Sequence, residues 1–223
     1  MTHIDDDSPE AAVQRLHAAL GLPSGFFASL LKEDDWSFVI KLHALIESAL
    51  AHVVAHRLGD EVADVVGLLD MGERKGKVAF AAALKLIDEQ ERYFLKLLSS
   101  IRNRCAHGVQ QAVRFSLESY IAGLDSNGRR EFFRACNASD PRESITISNL
   151  TTNRQKFASE NPKLWIWMSA LYFLAALYMQ KETAEFIRRS ERSIIEVSRL
   201  TTSPLGSLVQ LGMSKMDNEP GSR

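Results

Sequence analysis

Hydrophobic side chains recur at three- and four-residue steps along most of this chain. The clearest run begins after Asp34 and Asp35, one of which is expected to cap it, and it ends at Gly59. Within the run, apolar residues stand at helical spacing at Phe38, Leu42, Leu45, Ile46, Ala49, Leu50 and Val53. Because this spacing turns one face of a helix toward a core, the pattern predicts a long helix from Asp34 or Asp35 to Gly59.

The same period marks several further helices. A Ser-Pro-Glu start predicts a helix over Ser8–Leu20, with Pro9 at its first position. Others are predicted at Val78–Ile87, from Gln90 to a cap at Gly108, at Phe115–Leu124, at Arg129–Cys136 and at Pro162–Leu200. The Ser-, Thr- and Asn-rich segment Asn137–Asn161 is expected to be irregular. Within it, Ile145–Leu150 has the composition of a short strand, but no partner strand is evident.

Strand patterning is otherwise nearly absent, which favours an all-α fold built as an antiparallel helical bundle. We expect an N-terminal helix and lead-in over residues 1–33, a helical domain over 34–200 and a flexible tail over 201–223, with both ends of the chain mobile.

Composition points to an ordinary globular protein of the cytoplasm. The chain has 27 Lys and Arg against 28 Asp and Glu, so no overall positive field attracts nucleic acid, and any RNA contact must be a local patch. Two cysteines are too few for a disulfide framework, and the acidic N-terminus lacks the regions of a signal peptide.

The apolar stretch Leu164–Met179 is the only feature that suggests a membrane. It has 16 residues, slightly fewer than the roughly 18 that a membrane-spanning helix requires. We therefore expect no membrane contact, and we interpret the stretch as a central helix buried on both sides or as a subunit interface.

The segment Arg102-Asn103-Arg104-Cys105-Ala106-His107 closes a strongly amphipathic helix. It resembles the Arg-x4–6-His signature of the HEPN superfamily, helical-bundle domains common in bacterial toxin, defence and RNA-processing proteins. The match includes the polar residue that often follows the arginine, here Asn103. The resemblance implies a HEPN-like bundle and a metal-independent endoribonuclease with a composite site across a homodimer. It also implies RNA as substrate and an antitoxin or regulatory protein as partner.

The resemblance also implies a role for each residue of the segment. His107 would move a proton to or from the ribose 2′-hydroxyl or the leaving 5′-oxygen, and Arg102 would stabilise charge on the phosphate. Asn103 would orient a neighbour or hold a phosphate oxygen, and Arg104 would add a backbone contact. Five residues of helix separate Arg102 and His107 by roughly 140° around the axis. Either the helix unwinds near His107, or a second copy supplies the missing group.

Glu47 is a carboxylate among apolar neighbours on the long helix, with His43 one turn before it. A carboxylate in such surroundings needs a partner. Because the resemblance implies an acidic residue on an earlier helix near the motif, we predict Arg102 as that partner, with Glu47 and His43 as supporting site residues.

Other interpretations of these residues stay open. An Arg and a His near a helix C-terminus are both favoured by the helix dipole alone, and Glu47 fits a purely structural ion pair. A non-catalytic helical regulator or protein-interaction module, with a weaker similarity to mannitol repressor-type regulators, is the alternative function.

No metal or cofactor is expected. His52 and His56 are one turn apart but have no third ligand nearby in sequence, and no cofactor-binding motif is present. Cys105 lies on the apolar stripe and fits a core residue better than a nucleophile. Arginines cluster on two predicted helices, where they either flank an RNA path or form ordinary solvated surface: Arg129, Arg130 and Arg134, and Arg188, Arg189, Arg192 and Arg199.

Overall fold

The structure is a computed structural model that describes residues 18, 21–23, 25–106, 114–137, 142–147 and 150–202. These residues form nine α-helices, a 3₁₀ turn and one two-stranded sheet, which confirms the all-α fold class for this part of the chain. The helices are α1 (Phe26–Leu30), α2 (Asp35–Leu58), α3 (Ala63–Leu68), α4 (Lys77–Ala83), α5 (Glu89–Ala106), α6 (Leu117–Ala122), α7 (Ser126–Ala135), α8 (Arg154–Glu160) and α9 (Pro162–Thr202). The strands are β1 (Ser144–Ile147) and β2 (Leu150–Asn153).

By its internal contacts the chain divides into two units, residues 1–181 and 182–223, and every contact described below lies within the first. Apart from Ala18, the helix predicted at Ser8–Leu20 lies outside the described residues. The tail predicted at 201–223 also lies outside them after residue 202.

Helix α2 begins and ends where the sequence predicts. The Asp34 carboxylate accepts hydrogen bonds from the Ser37 amide at 3.0 Å and the Ser37 hydroxyl at 2.6 Å, and these bonds lower the pKa of Asp34. Gly59 ends the helix with a φ of 126°, a conformation that favours glycine. Among the described residues, α2 is the one helix long and apolar enough to cross a membrane, and 61% of its apolar window is buried inside the protein.

Helix α5 lies against α2 and carries the predicted stripe into the core. A reciprocal pair of hydrogen bonds starts it: Asp88 accepts from the Glu91 amide at 2.8 Å, and Glu91 accepts from the Asp88 amide at 2.7 Å. The stripe predicted from the sequence is buried at Phe94, Leu98, Ile101 and Cys105. The helix is described to Ala106, so the predicted cap at Gly108 lies outside the described residues.

Three tryptophans tie the helices together through their indole N–H groups. Trp36 at the start of α2 donates to the backbone carbonyl of Cys105 at 3.2 Å. In α9, Trp165 donates to the carbonyl of Cys136 at 3.0 Å, and Trp167 donates to that of Phe27 at 2.8 Å. Since each ring also packs against the core, each tryptophan combines apolar burial with a satisfied polar group.

The short strand expected near Ile145 is present as β1, but the expectations that it has no partner and that its segment is irregular were wrong. Strand β1 pairs antiparallel with β2, and Ile147 pairs with Leu150. Its partner strand contains the β-branched residues Thr151 and Thr152, which favour extended structure. Helix α8 follows at once, capped by Asn153, whose side chain accepts from the Lys156 amide at 3.1 Å.

The last helix was predicted at Pro162–Leu200 and is described over Pro162–Thr202, which confirms it. Its apolar first half is buried at Trp165, Ile166, Phe173, Leu174 and Leu177. Burial on both sides within the chain was an incorrect expectation, because Tyr172 is 72% exposed and Met179 45% exposed. The alternative expectation of a subunit interface stays a prediction.

Candidate active site

Four of the predicted site residues meet at one cavity between α2 and α5. The cavity has a volume of about 580 Å³, and His43 and Glu47 of α2 line it together with Arg102 and Asn103 of α5. The segment after α3 also lines the cavity, with Asp70 and the residues that follow it. The long helices thus bring together residues that are more than 50 positions apart in the chain.

Arg102 and Asn103 lie on the exposed surface of α5 at the mouth of the cavity. The Arg102 guanidinium donates a hydrogen bond from Nη1 to Asn103 Oδ1 at 3.1 Å. This bond uses one of the five N–H groups of the guanidinium, so the planar group keeps donors that can bind a phosphate oxygen.

The partner of Glu47 is Lys77, and the prediction of Arg102 was wrong. Lys77 Nζ lies 2.8 Å from Glu47 Oε1, and the lysine side chain is only 3% exposed. The same ammonium donates to the backbone carbonyls of Gly67, at 3.1 Å, and Leu69. All three hydrogens of the ammonium therefore have acceptors, as a buried cation requires.

The loop before α4 directs Lys77 inward. Asp70 holds this loop at both ends, because its carbonyl accepts from the Lys77 amide at 2.7 Å and its carboxylate accepts from the Gly72 amide at 2.8 Å. A side chain at Gly76 would overlap the backbone of both Asp70 and Gly72. The close approach of these backbones is therefore open only to glycine.

Lys77 is the functional-site residue that sequence reasoning missed. A signal for it does exist, since Lys77 is the one charged residue at the start of an otherwise apolar helix. Glu47 is isolated in the same way on α2, where it is a single carboxylate in an apolar sector. Two isolated and opposite charges on apolar helix faces are a reasonable candidate for a buried ion pair.

His43 is 7% exposed and lines the cavity beside Glu47. Its Nε2 is 3.4 Å from Ser99 Oγ, and its Nδ1 is 3.8 Å from Glu47 Oε2. Burial lowers the pKa of His43, the nearby charges of Arg102 and Lys77 lower it further, and Glu47 offsets part of the effect. The ring is therefore neutral near pH 7 and can accept a proton.

The remaining residues of the motif have different surroundings. Arg104 lies over the ring of Tyr120 in α6, with its guanidinium carbon 5.5 Å from the ring centre. Cys105 is buried, as predicted, and burial raises the pKa of its thiol to about 11. His107 lies outside the described residues.

The basic residues of α7 make contacts within the protein. Arg134 lies 3.3 Å from the Glu89 carboxylate and 3.7 Å above the ring of Tyr93, and Arg129 donates to the carbonyl of Leu124 at 3.0 Å. These contacts favour the interpretation of these arginines as ordinary protein surface over their interpretation as the flank of an RNA path. The side chains of the arginines predicted as a second cluster, Arg188, Arg189, Arg192 and Arg199, lie outside the description. No group of three or more metal-ligating side chains occurs in the described part of the chain, including around His52 and His56.

Comparisons with known proteins found no protein family, no curated protein and no solved structure that matches this chain.

Proposed function

We propose that this protein is a metal-independent endoribonuclease of the HEPN type that acts as a homodimer in the cytoplasm. One observation carries the proposal: the arginine and asparagine of the Arg-x4–6-His segment line an open cavity together with a buried histidine and a carboxylate. Cations, a neutral imidazole and space for a ligand are what phosphodiester cleavage without a metal requires.

In the proposed reaction Arg102 stabilises the negative charge that develops on the phosphate as the ribose 2′-oxygen attacks. The forked guanidinium can contact two phosphate oxygens at once. Asn103 accepts a hydrogen bond from Arg102 and so holds that fork in place at the mouth of the cavity. His107 moves a proton in the same step.

Helical geometry supports the proposed dimer. On a straight helix, five residues would separate Arg102 and His107 by roughly 140°, so a single copy would not direct both toward one phosphate without unwinding. A second copy of the chain supplies the missing group. The net charge of -1 agrees with a cleavage site that binds RNA through a local patch. Toxin, defence or RNA-processing roles, with an antitoxin or regulatory protein as partner, belong to this proposal.

A mutational series on α5 tests the proposal. We expect Arg102→Ala to abolish cleavage of a mixed RNA pool while leaving the melting temperature and the dimer mass unchanged. Arg92→Ala is the matched control, since Arg92 is an exposed arginine of the same helix outside the cavity. If Arg102→Ala and Arg92→Ala both cleave RNA as fast as the wild type, Arg102 has no catalytic role.

A non-catalytic regulator that binds another protein, of the mannitol repressor type, is the second candidate function. It draws support from apolar surface on α9, where Tyr172 and Met179 are exposed beside a cavity of about 430 Å³ lined largely by apolar side chains. Absence of RNA cleavage by the wild type, together with unchanged protein binding by Arg102→Ala, would favour this second function.

A further inference from the structure

His43 is the only histidine among the described residues that line the cavity, and its two ring nitrogens face different groups. Nδ1 faces the Glu47 carboxylate, whereas Nε2 faces the hydroxyl of Ser99. A carboxylate near Nδ1 favours the tautomer with its proton on Nδ1, which leaves the lone pair of Nε2 to accept a hydrogen bond. The Ser99 hydroxyl lies at this lone pair, and Ser99 itself lines the cavity.

We infer that His43 is the general base of the cleavage reaction and that it draws the proton of the attacking ribose 2′-hydroxyl through the Ser99 hydroxyl. This inference rests on the proposed ribonuclease function and deepens it. Arg102 and His43 line the same cavity, so one chain supplies both the charge-stabilising group and the base.

The step balances without a co-reactant. The Ser99 hydroxyl passes its proton to His43 Nε2 and takes the 2′-hydroxyl proton in its place, the 2′-oxygen forms a bond to phosphorus, and the bond from phosphorus to the 5′-oxygen breaks. The leaving 5′-oxygen takes a proton from water. The products are a 2′,3′-cyclic phosphate and a free 5′-hydroxyl.

Glu47 and Lys77 act as positioning residues for the base. Lys77 holds Glu47 through an ion pair of 2.8 Å, and Glu47 in turn lies beside Nδ1 of His43. Because Lys77 is itself held by two backbone carbonyls, the orientation of the imidazole depends on contacts from α4 and from the end of α3. A carboxylate that orients a catalytic imidazole is a common arrangement.

The pH dependence follows from the charged groups around His43. Glu47 of α2, Lys77 of α4 and Arg102 of α5 act on it directly. Lys96 of α5 and Asp70 and Glu73 of the segment before α4 line the same cavity. Burial together with Arg102 and Lys77 keeps the pKa of His43 below its ordinary value of 6.5. We therefore expect the acidic limb of kcat/KM, which reports the free enzyme, to fall at a pH below that value.

The test is the pH profile of kcat/KM for wild type and His43→Gln on a short single-stranded RNA. Glutamine keeps a hydrogen-bonding side chain but takes up no proton in this range. We expect His43→Gln to lose about 10²- to 10⁴-fold in rate and to lose the acidic limb. The matched control is His56→Gln on the same helix, which lies outside the cavity and is expected to keep the wild-type profile.

The outcomes separate the two proposals. Cleavage by wild type and by His43→Gln with the same rate and pH profile would overturn the role of His43 and leave the ribonuclease function standing. No cleavage by the wild type would overturn both. If His43→Gln does not fold, ¹⁵N-histidine NMR of the wild type replaces it. A pKa of His43 that rises when a 2′-deoxy-substituted RNA binds supports the inference, and an unchanged pKa contradicts it.

Discussion

The buried ion pair between Lys77 and Glu47 yields the sharpest prediction about stability. Replacing Glu47 by Gln removes the carboxylate but keeps the size of the side chain. The Lys77 ammonium, 3% exposed, then retains only a neutral amide and two backbone carbonyls as partners. Since this cation is almost fully excluded from water, it cannot recover the lost interaction by hydration.

The expected loss follows from the burial of each partner. Removing one member of a fully buried pair costs about 3–5 kcal/mol in the free energy of unfolding. Glu47 is 33% exposed, so water already screens part of the attraction, which places the estimate near the lower end, at about 3 kcal/mol. For a chain of this length that corresponds to a melting temperature lower by about 6–12 °C.

Thermal and urea unfolding of wild type, Glu47→Gln and Glu33→Gln measure the effect. Glu33 pairs with Lys41 at 2.6 Å, but Lys41 is 49% exposed, so Glu33→Gln is expected to lose less than about 1 kcal/mol. The double variant Glu47→Gln/Lys77→Met should be more stable than the sum of its single changes by about 0.5–3 kcal/mol. Equal melting temperatures for the two single Glu→Gln variants would refute the reasoning from burial.

Three further predictions concern the loop, the pH dependence of stability and the thiols. Gly76→Ala forces its methyl group into neighbouring backbone and should lower the melting temperature by several degrees, whereas Gly67→Ala, which meets no atom within 4 Å, should leave it equal or higher. A circular dichroism melt compares them. The lowered pKa of His43 means that the unfolded chain binds its proton first as the pH falls through 6.5. Wild-type stability should therefore decrease below that pH until the folded-state pKa is passed, and urea unfolding of His43→Gln should show a smaller decrease. Burial raises the pKa of Cys105 to about 11 and that of Cys136 to about 12. Neither thiol should react with an aromatic disulfide reagent at about pH 8 until urea unfolds the protein, and rapid labelling of the native protein would count against this burial.

Helices were predictable because their signal is local and repeated. The run from Phe38 to Val53 contains enough periodic apolar positions to specify its inward face, and capping residues mark its ends. The hairpin was not predictable in the same way, because each of its two strands has only four residues. The pairing of β1 also depends on β2, the segment that follows it in the chain. The face of α9 that carries Tyr172 shows the same limit, since a continuous apolar run does not reveal which side the protein covers.

The candidate site shows where sequence reasoning fails in physical terms. The periodicity of the long helix placed Glu47 in an apolar sector. The inference that a carboxylate in such a sector needs a partner was correct. The choice of partner depended on a loop that brings Lys77 inward through the backbone bonds of Asp70. Such a loop conformation is a tertiary property, so the resemblance to the HEPN signature pointed to Arg102 as the partner, and Lys77 was not considered.

Cleavage of a mixed pool of structured and single-stranded RNAs tests the central claim most directly. Purified wild type and His107→Ala are compared with a chelator present, and the 3′ ends of the products are analysed. We predict that only the wild type cleaves and that its products end in 2′,3′-cyclic phosphate. Equal cleavage by His107→Ala, cleavage abolished by the chelator, or no cleavage by the wild type would contradict a metal-independent ribonuclease of this kind.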